Sequence, residues 1–594
     1  MRKVAGSLED KLFLSAALVS LLASAAAFLL RPHLSPRNDR IRYGEEHLPA
    51  ALLAIFLFTA LAGVARPLLA RVSRLNDKPT PYFLAAIAAV FALFWLPVWL
   101  AGGFVQDDWL LLAAASVRQI VTLHPADSWF ALDSVDGNFR PLGTVLYFGY
   151  LLKWFGPAAR VFTFGPFLLT LLATLVAFAI VRELGYSRPA AAAASLLFLS
   201  RGMLYTVVAW TSALGDGIAI LCCGLTALLV LKANRRAGPA AFGYHLFGWL
   251  FFCVATLGKQ SAFAAPLIVA LLLLLRPGEH PAPALPRRAL TAAAALVGYS
   301  ATAAVVFYHA KALRHARNPY PIRFSVQALL QSFAHATWYF LVLQFPERDR
   351  LANLLPGFFG LAIVAAVFLL AHRFPGMFGD RPRDLVFAGL AAAASISLFV
   401  LLGTRAAPYY GCMSAFWISI ALGIALTRHR VPGGPAARLG CFLFLLLVVT
   451  GFANIRLQQT SLLPTGGYLF GAYGMDAERR IQANMQRELA APGHNDVLLL
   501  ADCIYINPYS SMALLDAPAI PRVLLYNSGD YTANDRQGLR PADDFAGLAD
   551  PEAYHWTEPL DAATAARILA ESRVLRLRCS NGVVEAASPE APSP

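Results

Sequence analysis

Charged residues are scarce in this chain. Asp, Glu, Lys and Arg supply 14% of its 594 residues, against about 25% in ordinary soluble domains. With 58% hydrophobic residues and a mean hydropathy of +0.56, that shortage excludes one large water-soluble enzyme. It equally excludes a disordered chain, which needs low hydrophobicity and high charge. The 42 glycines show no three-residue period, so a collagen-like rod is excluded. Cysteine is sparse as well, at seven residues, and no Cys/His cluster has zinc spacing. What remains is an integral membrane protein.

The charge that is present is unevenly spread. Residues 1–452 hold 38 Lys+Arg and 18 Asp+Glu, a balance of +20. Residues 453–594 hold 11 and 17, a balance of −6, and no Lys at all. A basic membrane body is therefore followed by an acidic, water-facing tail. The basic excess sits in short loops between apolar runs, where it orients helices in the bilayer; it does not point to nucleic acid.

A membrane span needs about 20 predominantly apolar residues. Such runs fall at 11–30, 49–70, 82–102, 160–181, 190–209, 213–232, 243–258, 261–275, 289–309, 352–371, 384–402, 408–427 and 438–453, which is about 13 helices. Glu9 and Asp10 precede the first run, unlike the basic start of a cleaved signal peptide, so it reads as a retained helix. The basic loops at 232–236, 276–288, 372–383 and 428–438 all fall on one side of this count. That side is cytoplasmic by the positive-inside rule, which places the N-terminus inside and the tail outside. The loop at 31–48, with Arg31, Arg37, Arg40 and Arg42, goes against the rule.

Two outward segments, 103–159 and 310–351, exceed mere turns; they mix aromatics, Pro and charge and suit short interfacial helices. The tail reads as α/β. Apolar runs at Asp496–Ala501 and Arg522–Tyr526 and the alternating Arg573–Cys579 have strand character. Asp561 caps a helix start at 560–567. The closing dozen residues are rich in Pro, Ser and Ala and read as disordered. Three regions are thus expected: two N-terminal helices (1–80), a helical membrane domain (81–453) and an acidic extracytoplasmic α/β domain (454–594). Cys503 and Cys579 are the two cysteines of the tail and can pair as a disulfide if that compartment is oxidising.

The acids of the membrane body are clustered. Five of its 18 lie between 107 and 136: Asp107, Asp108, Asp127, Asp133 and Asp136. The pair Asp107-Asp108 follows a span directly and leads into Trp109. Adjacent carboxylates at a membrane boundary repel and resist desolvation. One of them then suits a general base, or the pair binds a divalent cation; the plainer reading is a helix cap beside a solvated acid. Metal dependence stays open, and no other cofactor is indicated. Downstream lies Gly137-Asn138-Phe139-Arg140-Pro141-Leu142-Gly143. Pro141 can open a helix, and Arg140 at the membrane surface can grip a phosphate with its planar fork or simply snorkel.

Together these segments resemble the GT-C glycosyltransferases, most closely the branch of protein O-mannosyltransferases and bacterial lipid-A-sugar transferases. Two further elements are similar to that family: Leu257-Gly-Lys-Gln-Ser-Ala-Phe-Ala-Ala-Pro266 and Thr404-Arg-Ala-Ala-Pro-Tyr-Tyr410. The resemblance covers about residues 82–430; the two leading helices and the acidic tail depart from it. It implies a GT-C-like membrane core that takes a sugar from a polyprenyl-phosphate carrier at the outer face of a bacterial inner membrane. The acceptor would be a lipid-linked glycan, a surface polysaccharide or a protein. The resemblance makes Asp107 or Asp108 the base, usually with inversion at the anomeric carbon. Arg140, Lys259 and Arg405 become the cations around the departing phosphate, although Lys259 and Arg405 could also be helix-end residues that snorkel. Asn138 and His335 are added as cavity-lining candidates, the latter in an outer segment that in this fold class can cover the site. Tyr409 is another, unless it and Tyr410 belong to the interfacial aromatic belt.

Two charges fall within spans. Arg201 and Asp216 are close in sequence across one outer turn and could pair structurally, or could line the acceptor cavity. The rival classes are a lipid or glycan flippase, which needs charges or broken helices at the midplane of several spans, and a non-catalytic envelope scaffold. An ATP-driven pump is disfavoured, because around Gly258-Lys259 a phosphate-binding loop would need Gly at Cys253 and Ser or Thr at Gln260.

Overall fold

The structure is a computed structural model. It describes residues 78–104, 108, 111–112, 140–156, 158–275, 284–312, 382–400, 408–427, 444–445, 447–449, 451–452 and 455, together with four strands in the tail. Its helices in chain order are α1 (Thr80–Ala101), α2 (Tyr147–Phe155), α3 (Ala159–Glu183), α4 (Arg188–Leu199), α5 (Leu204–Ala209), α6 (Leu214–Asn234), α7 (Gly238–Gly258), α8 (Ala265–Leu275), α9 (Leu285–Ala312), α10 (Pro382–Val400) and α11 (Cys412–Thr427). Six apolar stretches of the described chain, Thr80–Ala101, Ala159–Glu183, Thr211–Asn234, Gly238–Gly258, Leu285–Tyr308 and Tyr409–Leu426, are long and apolar enough to cross a membrane. The protein is an integral membrane protein.

Helix α1 shows why. Pro81 stands in its first turn, where a missing N–H costs nothing. Its 22 residues rise about 33 Å at 1.5 Å each, enough for a hydrocarbon core of about 30 Å. Phe83, Ile87, Phe91, Trp95 and Val98 recur at helical spacing and are buried. Leu93, Leu96 and Leu100 on the other side are exposed. Such a leucine face is costly in water and ordinary against lipid tails. Helix α6 is the reverse case: nearly every residue from Leu214 to Ala233 is buried, because other helices surround it.

The apolar run expected as one span at 190–209 is instead two helices, α4 and α5, parted at Ser200–Met203. Ser187 caps the start of α4 by accepting from Ala190 N at 3.3 Å. The end of α4 falls in a dry interior, where its last carbonyls need donors. Arg201, only 1% exposed, supplies them. Its Nε donates to Leu197 O at 2.9 Å and its Nη2 to Ser200 Oγ at 2.9 Å and to Leu447 O. Trp95 Nε1 of α1 donates to Leu199 O at 3.0 Å. The run at 261–275 begins as a short 3-10 turn, Gln260–Ala264, before α8. The spans at 11–30, 49–70 and 352–371 lie outside the described residues, as does the segment 313–351.

One end of the bundle is basic and cross-tied. Arg188 Nε donates to Thr80 Oγ1 and its Nη1 to Lys78 O, both at 3.2 Å. Arg235 pairs with Glu183 at 3.2 Å. The Tyr186 hydroxyl donates to Asp384 Oδ2 at 2.6 Å, and Arg288 Nη1 to Leu274 O at 3.1 Å.

In the tail, strands β1 (Val497–Asp502), β2 (Leu525–Tyr526), β3 (Arg573–Ser580) and β4 (Val583–Ala587) form one sheet of order β2-β1-β3-β4. Strand β1 is parallel to β2 and β3, with Val497 opposite Arg573, and β3–β4 is an antiparallel hairpin. The expected strand segments overlap β1, β2 and β3, although β2 takes only Leu525–Tyr526 of the run 522–526; β4 is an addition, from the short run Val583-Val584-Glu585. The expected helix at 560–567 lies outside the described residues.

Candidate active site

The other end of the bundle gathers the C-termini of α1, α5 and α7 with the N-termini of α3, α6, α8 and α11. Asp108 follows α1 there and is fully buried. Its Oδ1 accepts from Ser212 N at 2.7 Å and from Ser212 Oγ at 2.6 Å. Ser212 belongs to the turn Thr211–Ala213 that joins α5 to α6, so the acid of one segment is fixed to the start of another. Hydrogen bonds of this kind to a charged carboxylate are worth about 1.5–3 kcal/mol each. The Tyr147 hydroxyl donates to Phe162 O at 2.5 Å and accepts from Gly165 N at 3.2 Å. Burial holds that phenol well above its ordinary pKa, and the nearby Asp108 charge adds to the effect.

At the same end of the bundle lies a cationic cluster built on glycine contacts. The segment after Arg140 opens as one wide π-type turn, Pro141–Leu146, before α2. Gly143 of this turn lies against Gly215 of α6; a Cβ on it would stand 3.2 Å from Gly215 Cα. Gly215 in turn lies against the end of α7, where a Cβ would stand 2.5 Å from Gly258 O. Three backbones thus meet with no side chain between them, which brings together the residue after each of two glycines and the one three positions before the third.

Those residues are Arg140, Asp216 and Lys259. Lys259 caps the end of α7, and its Nζ forms an ion pair with Asp216 Oδ2. Both are buried, at 6% and 3% exposure. On another side the same ammonium lies 4.7 Å from the ring centre of Tyr409 and 5.0 Å from that of Tyr410, a favourable cation–π geometry. The tyrosine rings are 4.5 Å apart, and Trp210 meets Tyr409 edge-on at 5.6 Å. Arg140 Nε donates to Gln260 Oε1 at 3.1 Å. Burial pushes the Lys259 pKa down, Asp216 opposes this, and the Arg140 charge lowers it further.

The structure therefore brings Asp108, Arg140, Asp216, Lys259 and Tyr409 to one end of the bundle. Lys259 does not snorkel: its partners are a carboxylate and two aromatic faces. Asp216 pairs with Lys259, whereas Arg201 donates to Leu197, Ser200 and Leu447; of the two readings open for these charges, the mutual pair is thereby replaced. Arg201 serves the break between α4 and α5. Asp107, Asn138, His335, Arg405 and Cys503 lie outside the described residues, and Cys579 is described only as part of β3. Ser212 and Gln260 escaped the sequence reading. Nothing in the sequence marks Ser212, and Gln260 entered only as the wrong residue for a phosphate-binding loop. Among the described residues no three His, Cys, Asp or Glu side chains gather as a metal site.

No protein-family model and no curated protein sequence matches the chain. Its structure is similar to that of the Archaeoglobus fulgidus oligosaccharyltransferase in the apo form, at 12% identity and a TM-score of 0.39, over 74% of this chain and 64% of that one. It is similar likewise to the archaeal oligosaccharyltransferase AglB from Archaeoglobus fulgidus in complex with an inhibitory peptide and a dolichol-phosphate, at 14% identity and a TM-score of 0.39, over the same shares. It is also similar to ArnT from Cupriavidus metallidurans bound to undecaprenyl phosphate, at 16% identity and a TM-score of 0.46, over 84% of this chain and 93% of that one.

Proposed function

We propose that this chain is a membrane glycosyltransferase of the GT-C type. It takes a sugar from a polyprenyl-phosphate donor and passes it to a hydroxyl of a lipid-linked glycan, surface polysaccharide or protein. The observation that carries the reading is the convergence of Arg140 and Lys259 with the buried Asp108 at the end of the bundle away from the basic cross-ties. Positive charge in short loops marks the cytoplasmic side, so this end faces outward, in a bacterium the outer face of the inner membrane. A lipid carrier lying in the bilayer presents its phosphate at that level. The acidic tail domain, 454–594, would stand on the same outer side, and the N-terminus inside.

The chemistry follows from the side chains. Asp108, or its neighbour Asp107, accepts the proton of the acceptor hydroxyl as that oxygen attacks the anomeric carbon. The bond from that carbon to the phosphate oxygen breaks, and the lipid phosphate leaves with the electron pair. A single displacement of this kind inverts the anomeric centre. Arg140 and Lys259 stabilise the charge that develops on the phosphate, where preorganised cations in a dry site act most strongly. Gln260 holds the Nε edge of Arg140, and Ser212 holds one oxygen of Asp108.

The test is glycan profiling of the source cell carrying the wild-type chain or Asp107→Asn plus Asp108→Asn at equal membrane levels. A glycoform absent only with the double variant supports the reading and identifies the sugar by the mass lost. An unchanged profile overturns it.

A further inference from the structure

The Lys259 ammonium stands between an acid and two aromatic faces, and a phosphate cradle has no obvious need of the acid. A buried carboxylate in direct contact with one of two cations cancels half of their charge. We propose that Asp216 sets the charge of this site so that the sugar-bearing phosphodiester is held and the polyprenyl monophosphate product is released. The proposal rests on reading the site as a polyprenyl-phosphate-sugar transferase.

The argument is one of charge matching. Arg140, Lys259 and Asp216 together carry one net positive charge. The donor is a phosphodiester with a single negative charge, which that net charge balances. The product is a phosphomonoester, whose second ionisation near pH 6 brings it to about −1.5 to −2 at neutral pH. Its second charge exceeds what these three residues balance, and an unpaired charge in a desolvated site is costly. Asp108, bonded to Ser212, keeps its own negative charge at this end of the bundle and opposes the dianion in the same sense, and the other titratable groups acting on Lys259 are Arg140 and the Cys412 thiol. With a bound anion keeping Lys259 protonated, replacing Asp216 by a neutral residue raises the charge of the site by one.

The aromatic faces make the substitution informative. Lys259 leans on Tyr409 and Tyr410 as well as on Asp216, and an Asn at 216 can still accept a hydrogen bond from Nζ. Asp216→Asn is therefore expected to leave the ammonium in place while removing the competing charge. A residue with a purely structural role would lose affinity for every ligand on substitution. Asp216→Asn is instead expected to gain affinity for anions, and most for the dianion.

The experiment measures binding of three probes to the purified full-length protein in lipid nanodiscs: a polyprenyl monophosphate, its methyl diester and the uncharged polyprenol. Asp216→Asn should tighten the monophosphate about tenfold or more, tighten the diester less and leave the alcohol unchanged. Equal or weaker binding of the monophosphate, or equal tightening of both anions, overturns the proposal. If Asp216→Asn fails to fold, the wild-type protein decides. Its affinity for the monophosphate should stay flat or fall between about pH 5.5 and about pH 7.5, as the second proton leaves; a tenfold rise overturns the proposal. Failure of the underlying reading looks different: wild-type protein would bind the alcohol as tightly as the anions, and Lys259→Gln and Arg140→Ala would change nothing.

Discussion

Gly215→Ala isolates the contact on which the cationic cluster is built. Its new Cβ would stand 2.5 Å from Gly258 O and 3.6 Å from Lys259 Cβ. An ordinary carbon–oxygen contact needs about 3.4 Å or more, so α6 and the end of α7 must part by about 1 Å. The obstructing atom is backbone and cannot rotate aside, so the overpacking should cost about 1–3 kcal/mol. The functional loss should be larger than that stability loss implies, because a misplacement of about 1 Å can cost 10²-fold in rate and the shift separates Lys259 from Asp216 and Arg140. The neighbours calibrate the result. Gly143→Ala meets Gly215 Cα at 3.2 Å, a milder conflict, and Gly258→Ala meets Ile218 Cγ2 at 2.7 Å and Cβ at 3.0 Å, a stiff branched side chain that yields little more than backbone. Gly243→Ala on α7 has nothing within 4 Å and serves as the control. Transfer rate and thermal stability in detergent should rank Gly215→Ala lowest and Gly243→Ala at wild type. Wild-type transfer by Gly215→Ala would refute the claim that this contact sets the site.

Other substitutions probe the remaining parts. Lys259→Met should lower protein yield, because it leaves Asp216 buried and unpaired at about 3–5 kcal/mol; Lys259→Met with Asp216→Leu should restore yield but not transfer. Ser212→Ala removes one of the two hydrogen bonds that Ser212 gives Asp108 and should lower kcat about tenfold, with Ser212→Thr largely restoring it. Gln260→Ala should raise the donor KM in the manner of Arg140→Ala, and the double variant should be little worse than either, since Gln260 acts through Arg140. Arg201→Gln should reduce the folded fraction on size-exclusion chromatography without altering donor KM in the protein that remains, because its bonds serve the break between α4 and α5.

Most of the helical frame was readable because a membrane span is a length requirement. The runs at 82–102, 160–181, 213–232 and 243–258 became helices that end within a few residues of those bounds. The run at 190–209 misled because hydropathy cannot see that Arg201 turns back onto Leu197 and frees the chain to break. Arg140 and Lys259 stood out as cations beside Pro and Gly at span ends. Their meeting did not, since it depends on glycines at 143, 215 and 258 that are far apart in the chain. For Asp216 the sequence offers Arg201 as one possible partner because it is near in the chain, whereas Lys259, 43 positions away, is its neighbour in space. Ser212 was invisible: a serine in an apolar turn carries no sign that it will donate twice to an aspartate.

The central claim is that sugar leaves a polyprenyl phosphate at this site. It is tested most directly by feeding the purified, reconstituted protein the lipid extract of its source cell and following polyprenyl monophosphate by mass spectrometry. Monophosphate should accumulate with the wild-type protein and not with Asp107→Asn plus Asp108→Asn. Equal accumulation with both proteins, or none with either, would contradict the account.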